Sequence, residues 1–322
     1  MTESKAFGSN CIGANDQTVV GRFAPSPSGR IHAGNILAYL CAWLVAQLQG
    51  GRVVLRIEDL DSERSKSAYA EALMRDLERL GLTWDEGPYY QQNRDEVYAA
   101  AFDSLSERGL TYPCFCTRAD LHAASAPHAG ERFVYPGTCR SLSEEARKEL
   151  LSVKPAAWRL LTRDCDIAFT DELQGPVSMN LASDCGDFVI RRFDGSFAYQ
   201  LAVVVDDAEQ GVTSVVRGYD LLDSSPQQRY LQDLLGLPHV EYAHVPLVVA
   251  PDGRRLSKRN RDAELESLLG RFGTPEGVIG HISYLAGLIP YDETIAPDEL
   301  LCELTYSKFV ESLQGKKQIV FS

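Results

Sequence analysis

A turn rich in proline and glycine, set between an apolar strand and a long apolar run, most constrains how this chain can fold. Residues 21–35 read G-R-F-A-P-S-P-S-G-R-I-H-A-G-N. Residues 36–48 are apolar on nearly every side and stop at Gly50-Gly51, which predicts a buried helix. The order strand, tight turn, helix places backbone N–H groups at a helix N-terminus, and such a site suits a phosphate. The alternative is a Pro/Gly-rich connection between strand and helix that has no ligand-binding role.

A second strand is predicted at residues 52–57, where R-V-V-L-R-I leads into the acidic stretch E-D-L-D. Strand, helix and strand within about 40 residues predict a parallel βαβ unit. Ligands of open α/β sheets bind outside the carboxyl ends of the strands, and Glu58 stands at such an end. An acidic loop that caps the next helix is the alternative, because carboxylates favour helix N-termini.

The periodicity of apolar residues predicts helices and strands in the rest of the chain. Amphipathic patterns predict helices over residues 67–80 and 94–108, each stopped by glycine. Strand-like patterns cover residues 158–170, 187–192, 199–205 and 213–218, and Asp194-Gly195 is a hairpin signal between two of them. Three short helices are predicted after residue 261, at residues 275–285, 297–304 and 307–313.

Composition narrows the class of protein. The chain has 322 residues, enough for one large or two modest domains, and its net charge of −13 argues against a broad nucleic-acid-coating surface. No apolar run reaches the roughly 20 residues that a membrane span needs. The eight cysteines are dispersed, which favours a reducing cytoplasm and metal or free-thiol roles. A monomer is expected because no long heptad pattern stands out.

Two short motifs carry a resemblance to class I aminoacyl-tRNA synthetases. The sequence His32-Ala33-Gly34-Asn35 resembles the first signature of that class, H-I-G-H, and R-F-A-P-S-P-S-G before it is the form seen in the glutamyl subgroup. The second signature, K-M-S-K-S, has a counterpart in Arg255-Leu256-Ser257-Lys258-Arg259 about 220 residues later. The H-I-G-H-like motif is taken as residues 25–35.

The chemistry of a glutamate pocket fits residues near these motifs. Free glutamate needs a guanidinium for each carboxylate and a carboxylate for its ammonium. Arg22, Arg217 and Glu58 supply these groups, and either arginine could take the side-chain carboxylate. The same three charges would also suit aspartate. The resemblance implies an L-glutamate site made of Arg22, Phe23, Ala24, Pro25, Ser26, Glu58, Tyr199 and Arg217.

The resemblance also implies an ATP site with magnesium. His32, Gly34 and Asn35 would hold the phosphates from one side. Ser257 and Lys258 would hold them from a mobile basic loop, and Lys258 would neutralise charge as the glutamate carboxylate attacks the α-phosphorus. In isolation this basic cluster could equally be a solvated loop.

Three cysteines between the two halves of the chain predict a metal site. Cys114 and Cys116 form a C-x-C pair, and with Cys139 they offer three thiolates for one structural zinc ion. Cysteines that only pack in a core are the alternative. The resemblance implies Tyr135 as the fourth ligand, although His122 or His128 could take that place.

The fold class expected from the resemblance is α/β. It is a class I synthetase-type Rossmann nucleotide-binding fold, a parallel sheet with helices on both faces, with an inserted zinc-loop subdomain and a short helical C-terminal region. The predicted segments are a flexible extension at 1–17, the first catalytic half at 18–110, the inserted subdomain at 111–185, the second half at 186–262 and the helical region at 263–322.

The short region after the basic loop leaves no room for an anticodon-binding domain, so the chain most resembles the glutamyl-Q tRNA(Asp) synthetase family. That resemblance implies activation of L-glutamate without tRNA, followed by transfer to queuosine in the anticodon loop of tRNA(Asp). Three alternatives stay open. They are a shortened glutamyl-tRNA synthetase charging the 3′ end of tRNA(Glu), a catalytically silent paralogue that binds RNA or a partner, and a nucleotidyltransferase sharing H-x-G-H.

Overall fold

A computed structural model describes residues 18–321 apart from 62, 64, 118–119, 122–133 and 255–262. The predicted extension at 1–17, the basic motif at 255–259 with its Ser257 and Lys258, and both alternative zinc ligands, His122 and His128, lie outside the described residues.

The strands of the described chain are short. They are β1 (Val20–Phe23), β2 (Arg52–Ile57), β3 (Glu86–Tyr90), β4 (Thr111–Cys114), β5 (Ala157–Leu160), β6 (Asp166–Asp171), β7 (Gly175–Asn180), β8 (Phe188–Arg191), β9 (Ser214–Gly218), β10 (Glu241–Val245), β11 (Leu247–Val249) and β12 (Gln318–Val320).

The helices are α1 (Ala33–Leu48), α2 (Ser67–Arg79), α3 (Asp95–Glu107), α4 (Glu144–Val153), α5 (Leu181–Asp184), α6 (Tyr199–Glu209), α7 (Ser225–Leu235), α8 (Leu265–Phe272), α9 (Pro275–Ala286), α10 (Pro297–Glu303) and α11 (Tyr306–Leu313). Short 3-10 helices cover Gln91–Asn93 and Tyr219–Ser224. None of the helices in this part of the chain combines the length and the apolar composition that crossing a bilayer requires.

A layer of parallel strands forms the centre of the fold, as predicted. β1 pairs with β2 and β2 with β3, both in parallel, and β9 pairs in parallel with β10. The two groups meet at β1, because Thr213 N donates to Val20 O at 2.9 Å. The strand order is therefore β3, β2, β1, β9, β10. Along the sheet, the order in which the chain adds strands changes direction between β1 and β9, and open α/β sheets bind their ligands at such a point.

The predicted buried helix is α1, and it packs on this layer. Ile36, Leu37, Leu40 and Leu44 are fully buried against β1, β2 and β9, which explains an apolar surface on all sides of one helix. The C-terminal helices share the same core: α9 and α10 contact α1, and Val278, Leu300 and Phe309 are among its buried residues. The helical region after residue 263 thus stabilises the sheet layer directly.

Residues 111–191 carry small antiparallel sheets of their own. β4 pairs with β5 and β5 with β8, antiparallel in both cases. β6 and β7 form a hairpin from Asp166 to Asn180. Behind β4, the side chains of Tyr112, Cys114, Tyr135 and Cys139 form a separate buried cluster.

One predicted strand is wrong: residues 199–205 belong to helix α6. Residues 201–205 are all at most 5% exposed, because α6 is packed between α3, α7 and β8. A helix buried on every side loses its 3.6-residue periodicity, and a run of valines then imitates a strand. The turn at Asp194-Gly195 is real, since Arg192 N donates to Ser196 O at 2.7 Å, but it leads into a helix.

Candidate functional site

A cleft of about 640 Å³ opens at the carboxyl ends of β1, β2 and β9, beside the N-terminus of α1. Nine of the predicted site residues line it: Arg22, Ala24, Ser26, His32, Gly34, Asn35, Glu58, Tyr199 and Arg217. Two others do not. Phe23 is fully buried and its ring packs against Tyr39 at 5.6 Å, and Pro25 instead fixes the turn, because Glu58 N donates to its carbonyl at 2.9 Å.

Arg217 stands at the end of β9 with its guanidinium spread over five acceptors. Its Nε donates to His244 Nε2 (3.0 Å), Nη1 to Gln228 Oε1 (2.9 Å) and Nη2 to Ser225 Oγ (2.7 Å). Two longer contacts, both 3.3 Å, join Nη1 to the Tyr199 hydroxyl and Nη2 to the Leu221 carbonyl. Among the described residues no carboxylate forms a salt bridge with Arg217.

Arg22, on β1, lies on the other side of the strand reversal. Its Nη1 donates to Val216 O at 2.8 Å, and its Nε is 3.9 Å from Asp207 Oδ1. Burial lowers the pKa of Arg22, and the nearby Arg56 and Arg217 guanidinium groups act in the same direction. An anion entering the cleft would therefore be attracted by buried positive charge that the protein leaves only partly compensated.

Glu58 is held by a buried ion-pair network behind the cleft. Arg56, with no exposed surface, lies 3.4 Å from Glu58 Oε1, 2.8 Å from Asp207 Oδ1 and 3.6 Å from Asp206 Oδ2. Burial raises the pKa of Glu58, although Arg56 and Arg22 oppose that change. The network orients the carboxylate, and any cationic group that reaches Glu58 replaces solvation that burial has removed.

Asp206 joins the same network to α3. It accepts hydrogen bonds from Gln91 Nε2 (2.7 Å), from Arg94 Nε (2.7 Å) and from the Tyr98 hydroxyl (2.9 Å). Both aspartates stand on the last turn of α6, so this helix contributes Tyr199 at its start and the acidic pair near its end. Helix α6 therefore forms one wall of the site.

The N-terminus of α1 faces the cleft, as the Pro/Gly turn predicts. Asn35 Oδ1 accepts from His32 N at 3.3 Å, which caps the first turn. A Cβ added to Gly34 would lie 3.3 Å from His32 Cε1 and 3.9 Å from Val248. Glycine at position 34 thus leaves room for the imidazole between the helix and β11.

The described residues that flank the basic motif are anchored at this helix terminus. Leu247 and Val248 of β11 line the cleft before the motif. After it, Leu265 N donates to Ile31 O at 3.0 Å, and Glu264 forms an antiparallel bridge with His32. Described residues before and after the basic motif therefore lie beside the H-I-G-H-like turn and the start of α1.

The thiol cluster, defined as Cys114, Cys116, Tyr135 and Cys139, lies outside this cleft. The three sulfur atoms are within 4.8 Å of one another. The Tyr135 hydroxyl is 3.4 Å from Cys114 Sγ and 3.7 Å from Cys116 Sγ, and Cys116 Sγ is 3.6 Å from Cys139 Sγ. Zinc in a tetrahedral site of sulfur and oxygen separates its ligand atoms by about 3.5–3.8 Å, so these four atoms fit the ion.

The guanidinium of Arg159 contacts this cluster. Arg159 Nε donates to Cys114 Sγ at 3.2 Å, and its guanidinium lies 3.6 Å from the centre of the Tyr135 ring. Burial acts to raise the pKa of Cys114, but the hydrogen bonds from Tyr135 and Arg159 lower it overall. These contacts favour the thiolate of Cys114, the form that binds a metal ion, whereas burial raises the pKa of Cys116 to about 11.

Several supporting residues escape sequence reasoning. Arg56, Asp207 and His244 contact residues that line the cleft, and Asp206 contacts Arg56, yet sequence reasoning assigned none of them a role there. Arg56 interrupts the apolar strand V-V-L-R-I, and the aspartates end the apolar run of α6. A charged side chain inside a stretch that must be buried is the one available signal, because such a group needs a partner.

Comparison with known proteins agrees with this geometry. Residues 18–293 match the family described as "tRNA synthetases class I (E and Q), catalytic domain". The Glutamyl-Q tRNA(Asp) synthetase of Symbiobacterium thermophilum is 47% identical over 293 residues, which cover 87% of this chain and 90% of that protein. The protein of the same name from Nitratidesulfovibrio vulgaris is 48% identical over 282 residues, covering 84% of this chain and 87% of that protein.

A solved structure extends the agreement to the whole fold. The glutamate-tRNA synthetase from Elizabethkingia anophelis superimposes with a TM-score of 0.80 at 27% identity, covering 95% of this chain and 68% of that one. The parallel layer, the inserted region and the C-terminal helices therefore belong to one known architecture. The chain belongs to the class I glutamyl- and glutaminyl-tRNA synthetase family, and within it to the glutamyl-Q tRNA(Asp) synthetases.

Proposed function

We propose that this chain activates L-glutamate with ATP in the absence of tRNA and then transfers the glutamyl group to the queuosine base at position 34 of tRNA(Asp). The names of its relatives support the substrate and the acceptor. The observation that carries the activation step is the cleft itself. Arg22, Glu58 and Arg217 converge there from three strands, with the charges that free glutamate requires.

Glutamate binding uses the two arginines and the acid. On Arg217, the two contacts of 3.3 Å lie one on each terminal nitrogen, and a carboxylate can displace both by a bidentate pair. Arg22 receives the other carboxylate, and Glu58 receives the ammonium. The Tyr199 hydroxyl and Ser26 are further hydrogen-bonding groups on the same walls.

Activation then joins glutamate to the nucleotide. A carboxylate oxygen of glutamate attacks the α-phosphorus of ATP, a new O–P bond forms, and the bond to pyrophosphate breaks. His32, Gly34 and Asn35 stand where the phosphates meet the α1 N-terminus, and Ser257 and Lys258 would approach from the opposite side. Magnesium bound with ATP would supply further charge neutralisation on the phosphates.

The thiol cluster is proposed to hold one structural zinc ion through Cys114, Cys116, Tyr135 and Cys139. The distances among its four atoms support Tyr135 as the fourth ligand. A thiolate site of this kind suits a reducing compartment such as the cytoplasm, where the protein is proposed to act as a monomer. We also propose that the chain divides into its segments at residues 110, 185 and 262.

The first experiment measures glutamate-dependent exchange between ATP and pyrophosphate, with and without tRNA. Exchange without RNA supports the proposal. Exchange only with tRNA(Glu) points to a shortened conventional synthetase. The absence of exchange with glutamate, aspartate and glutamine, for a protein that is folded by circular dichroism, contradicts enzymatic activity of this kind and favours the silent paralogue.

The second experiment identifies the acceptor. Radiolabelled glutamate is offered with tRNA(Asp) that carries queuosine, with the same tRNA lacking the modification, and with tRNA(Glu). Digestion to nucleosides then locates the label. Label on the modified base of tRNA(Asp) alone is expected, whereas label on the 3′-terminal adenosine would exclude the proposed acceptor.

A further inference from the structure

A buried aspartate–histidine pair stands directly behind Arg217. His244 Nδ1 is 2.5 Å from Asp171 Oδ2, and His244 Nε2 accepts from Arg217 Nε at 3.0 Å. Asp171 and His244 have at most 1% exposure, and neither lines the cleft. Among the described residues, the side chain of His244 reaches the wall of the cleft through Arg217, and its Nε2 also lies 3.3 Å from Ser225 Oγ, which accepts from Arg217 Nη2.

The contacts of Asp171 fix which imidazole nitrogen carries the proton. Asp171 Oδ1 accepts three backbone N–H groups, from Leu173 (3.1 Å), Gln174 (2.9 Å) and His244 (3.2 Å). Its Oδ2 is thereby left to accept from His244 Nδ1. With its proton on Nδ1, the neutral imidazole presents Nε2 as an acceptor to Arg217.

The turn that holds Asp171 is itself locked by the C-terminal region. Gly315 N donates to Leu173 O at 2.8 Å, and Gln174 Nε2 bridges the carbonyls of His244 (2.8 Å) and Lys316 (3.0 Å). The Tyr306 hydroxyl also contacts Glu172. The β6–β7 hairpin of the inserted region and the segment after α11 thus meet at the residue that orients His244.

We propose that Asp171 and His244 are positioning residues for glutamate binding: the pair fixes the histidine tautomer, and the tautomer holds the Arg217 guanidinium in the plane that receives a substrate carboxylate. This inference rests on the proposed glutamate activation. It assigns no chemical step to the pair.

Asp171→Asn is the sharpest test because it preserves shape and reverses one hydrogen bond. The three backbone donors keep the amide oxygen at the Oδ1 place, so the NH₂ group faces His244 Nδ1. The histidine must then accept at Nδ1 and carry its proton on Nε2, where it opposes the N–H of Arg217 Nε. A hydrogen bond to a charged group is lost, and the KM for glutamate is expected to rise about 10- to 100-fold.

Two histidine variants and one remote variant complete the series. His244→Gln keeps an oxygen acceptor near Arg217 and should raise the glutamate KM by less than about threefold, whereas His244→Leu should match Asp171→Asn. The remote control is Asp292→Asn, which alters another aspartate–histidine contact: Asp292, half-exposed in the loop after α9, has its Oδ2 2.9 Å from His281 Nδ1. It should leave the glutamate KM within about twofold of the wild-type value.

The readout is the KM for glutamate and for ATP in pyrophosphate exchange, with direct calorimetric titration of glutamate as a check independent of turnover. A selective rise in the glutamate KM supports the inference. An unchanged KM in Asp171→Asn and His244→Leu, or equal rises for glutamate and ATP, overturns it. Absence of exchange in the wild-type protein would instead refute the proposed function and, with it, this inference.

Discussion

The cleft and the thiol cluster are both buried polar sites, but they recruit their partners over different distances along the chain. The four atoms of the cluster come from residues 114–139. In the cleft, Arg22 is held by an acceptor 194 residues away and Arg56 by one 151 residues away. A local site can be recognised from spacing, whereas a site assembled over long distances depends on the whole fold.

The two regions also differ in how their charge is compensated. In the cleft, arginines and carboxylates neutralise one another in part, and Arg217 keeps a positive charge without an acidic partner among the described residues. In the cluster, several ionisable groups crowd together, and the guanidinium of Arg159 contacts them. The cleft thus suits a small zwitterionic acid, and the cluster suits a cation. Four predictions test this contrast, in order of expected effect.

The largest effect is expected from Arg217→Lys. An ammonium cannot keep the planar set of five hydrogen bonds, so Gln228, Ser225 and His244 lose their donor along with the substrate carboxylate. The kcat/KM for glutamate in pyrophosphate exchange should fall about 100- to 1,000-fold. Arg191→Lys, on a side chain outside the cleft, is the control, and a loss below tenfold at position 217 would contradict this role.

Arg56→Met should chiefly affect stability. The change removes the shared partner of three acidic groups, Asp207, Glu58 and Asp206, from a buried network behind the cleft. Arg94 still contacts Asp206 and Arg22 still lies near Asp207, but their positive charge no longer balances all three carboxylates. Removing one partner of a buried ion pair costs about 3–5 kcal/mol, measurable by urea unfolding. Adding Asp207→Asn to the variant should recover part of that loss, because one uncompensated charge disappears. A loss under about 1 kcal/mol would show that the network is not needed for stability.

Loss of the proposed zinc ion should affect the thiol cluster and leave glutamate binding in the cleft nearly unchanged. Cys116→Ser should lower the zinc content, measured by mass spectrometry, and lower the melting temperature by about 3 °C, which corresponds to about 2 kcal/mol in a chain of this length. Glutamate exchange should keep a KM within about threefold of the wild-type value, because the cluster does not line the cleft. Tyr135→Phe should also lose zinc, and full retention would point to another fourth ligand.

The smallest effect is expected from pH. Burial lowers the pKa of His244 below its ordinary value of 6.5, although Asp171 opposes this, and Arg217 and Arg22 act with burial. As the pH falls, the His244 imidazole therefore binds a proton in the unfolded chain before it does so in the folded chain. The free energy of unfolding should therefore decrease as the pH falls through 6.5. His244→Gln should show a shallower decrease in urea titrations at pH 8 and pH 6, and an identical slope would contradict this account.

Sequence reasoning succeeds where a local pattern has one structural solution. The apolar run of α1, the strand β2 and the turn between them follow from residues that are neighbours in the chain, and the C-x-C spacing of Cys114 and Cys116 limits where their thiols can point. The same reasoning fails at residues 199–205. A short apolar run rich in valine fits a buried strand and a fully buried helix equally well, and only its packing against α3 and α7 selects the helix.

By itself, the sequence predicted the parallel layer around α1, the Pro/Gly turn before that helix and the cluster of Cys114, Cys116 and Cys139. Each of these depends on periodicity or spacing within a few dozen residues. Only the tertiary structure decided that α6 carries Tyr199 and the two aspartates, that Arg56 links them to Glu58, and that Asp171 reaches Arg217 through His244. Those contacts join residues far apart in the chain, and a buried charge finds its partner only after the fold has brought the two together.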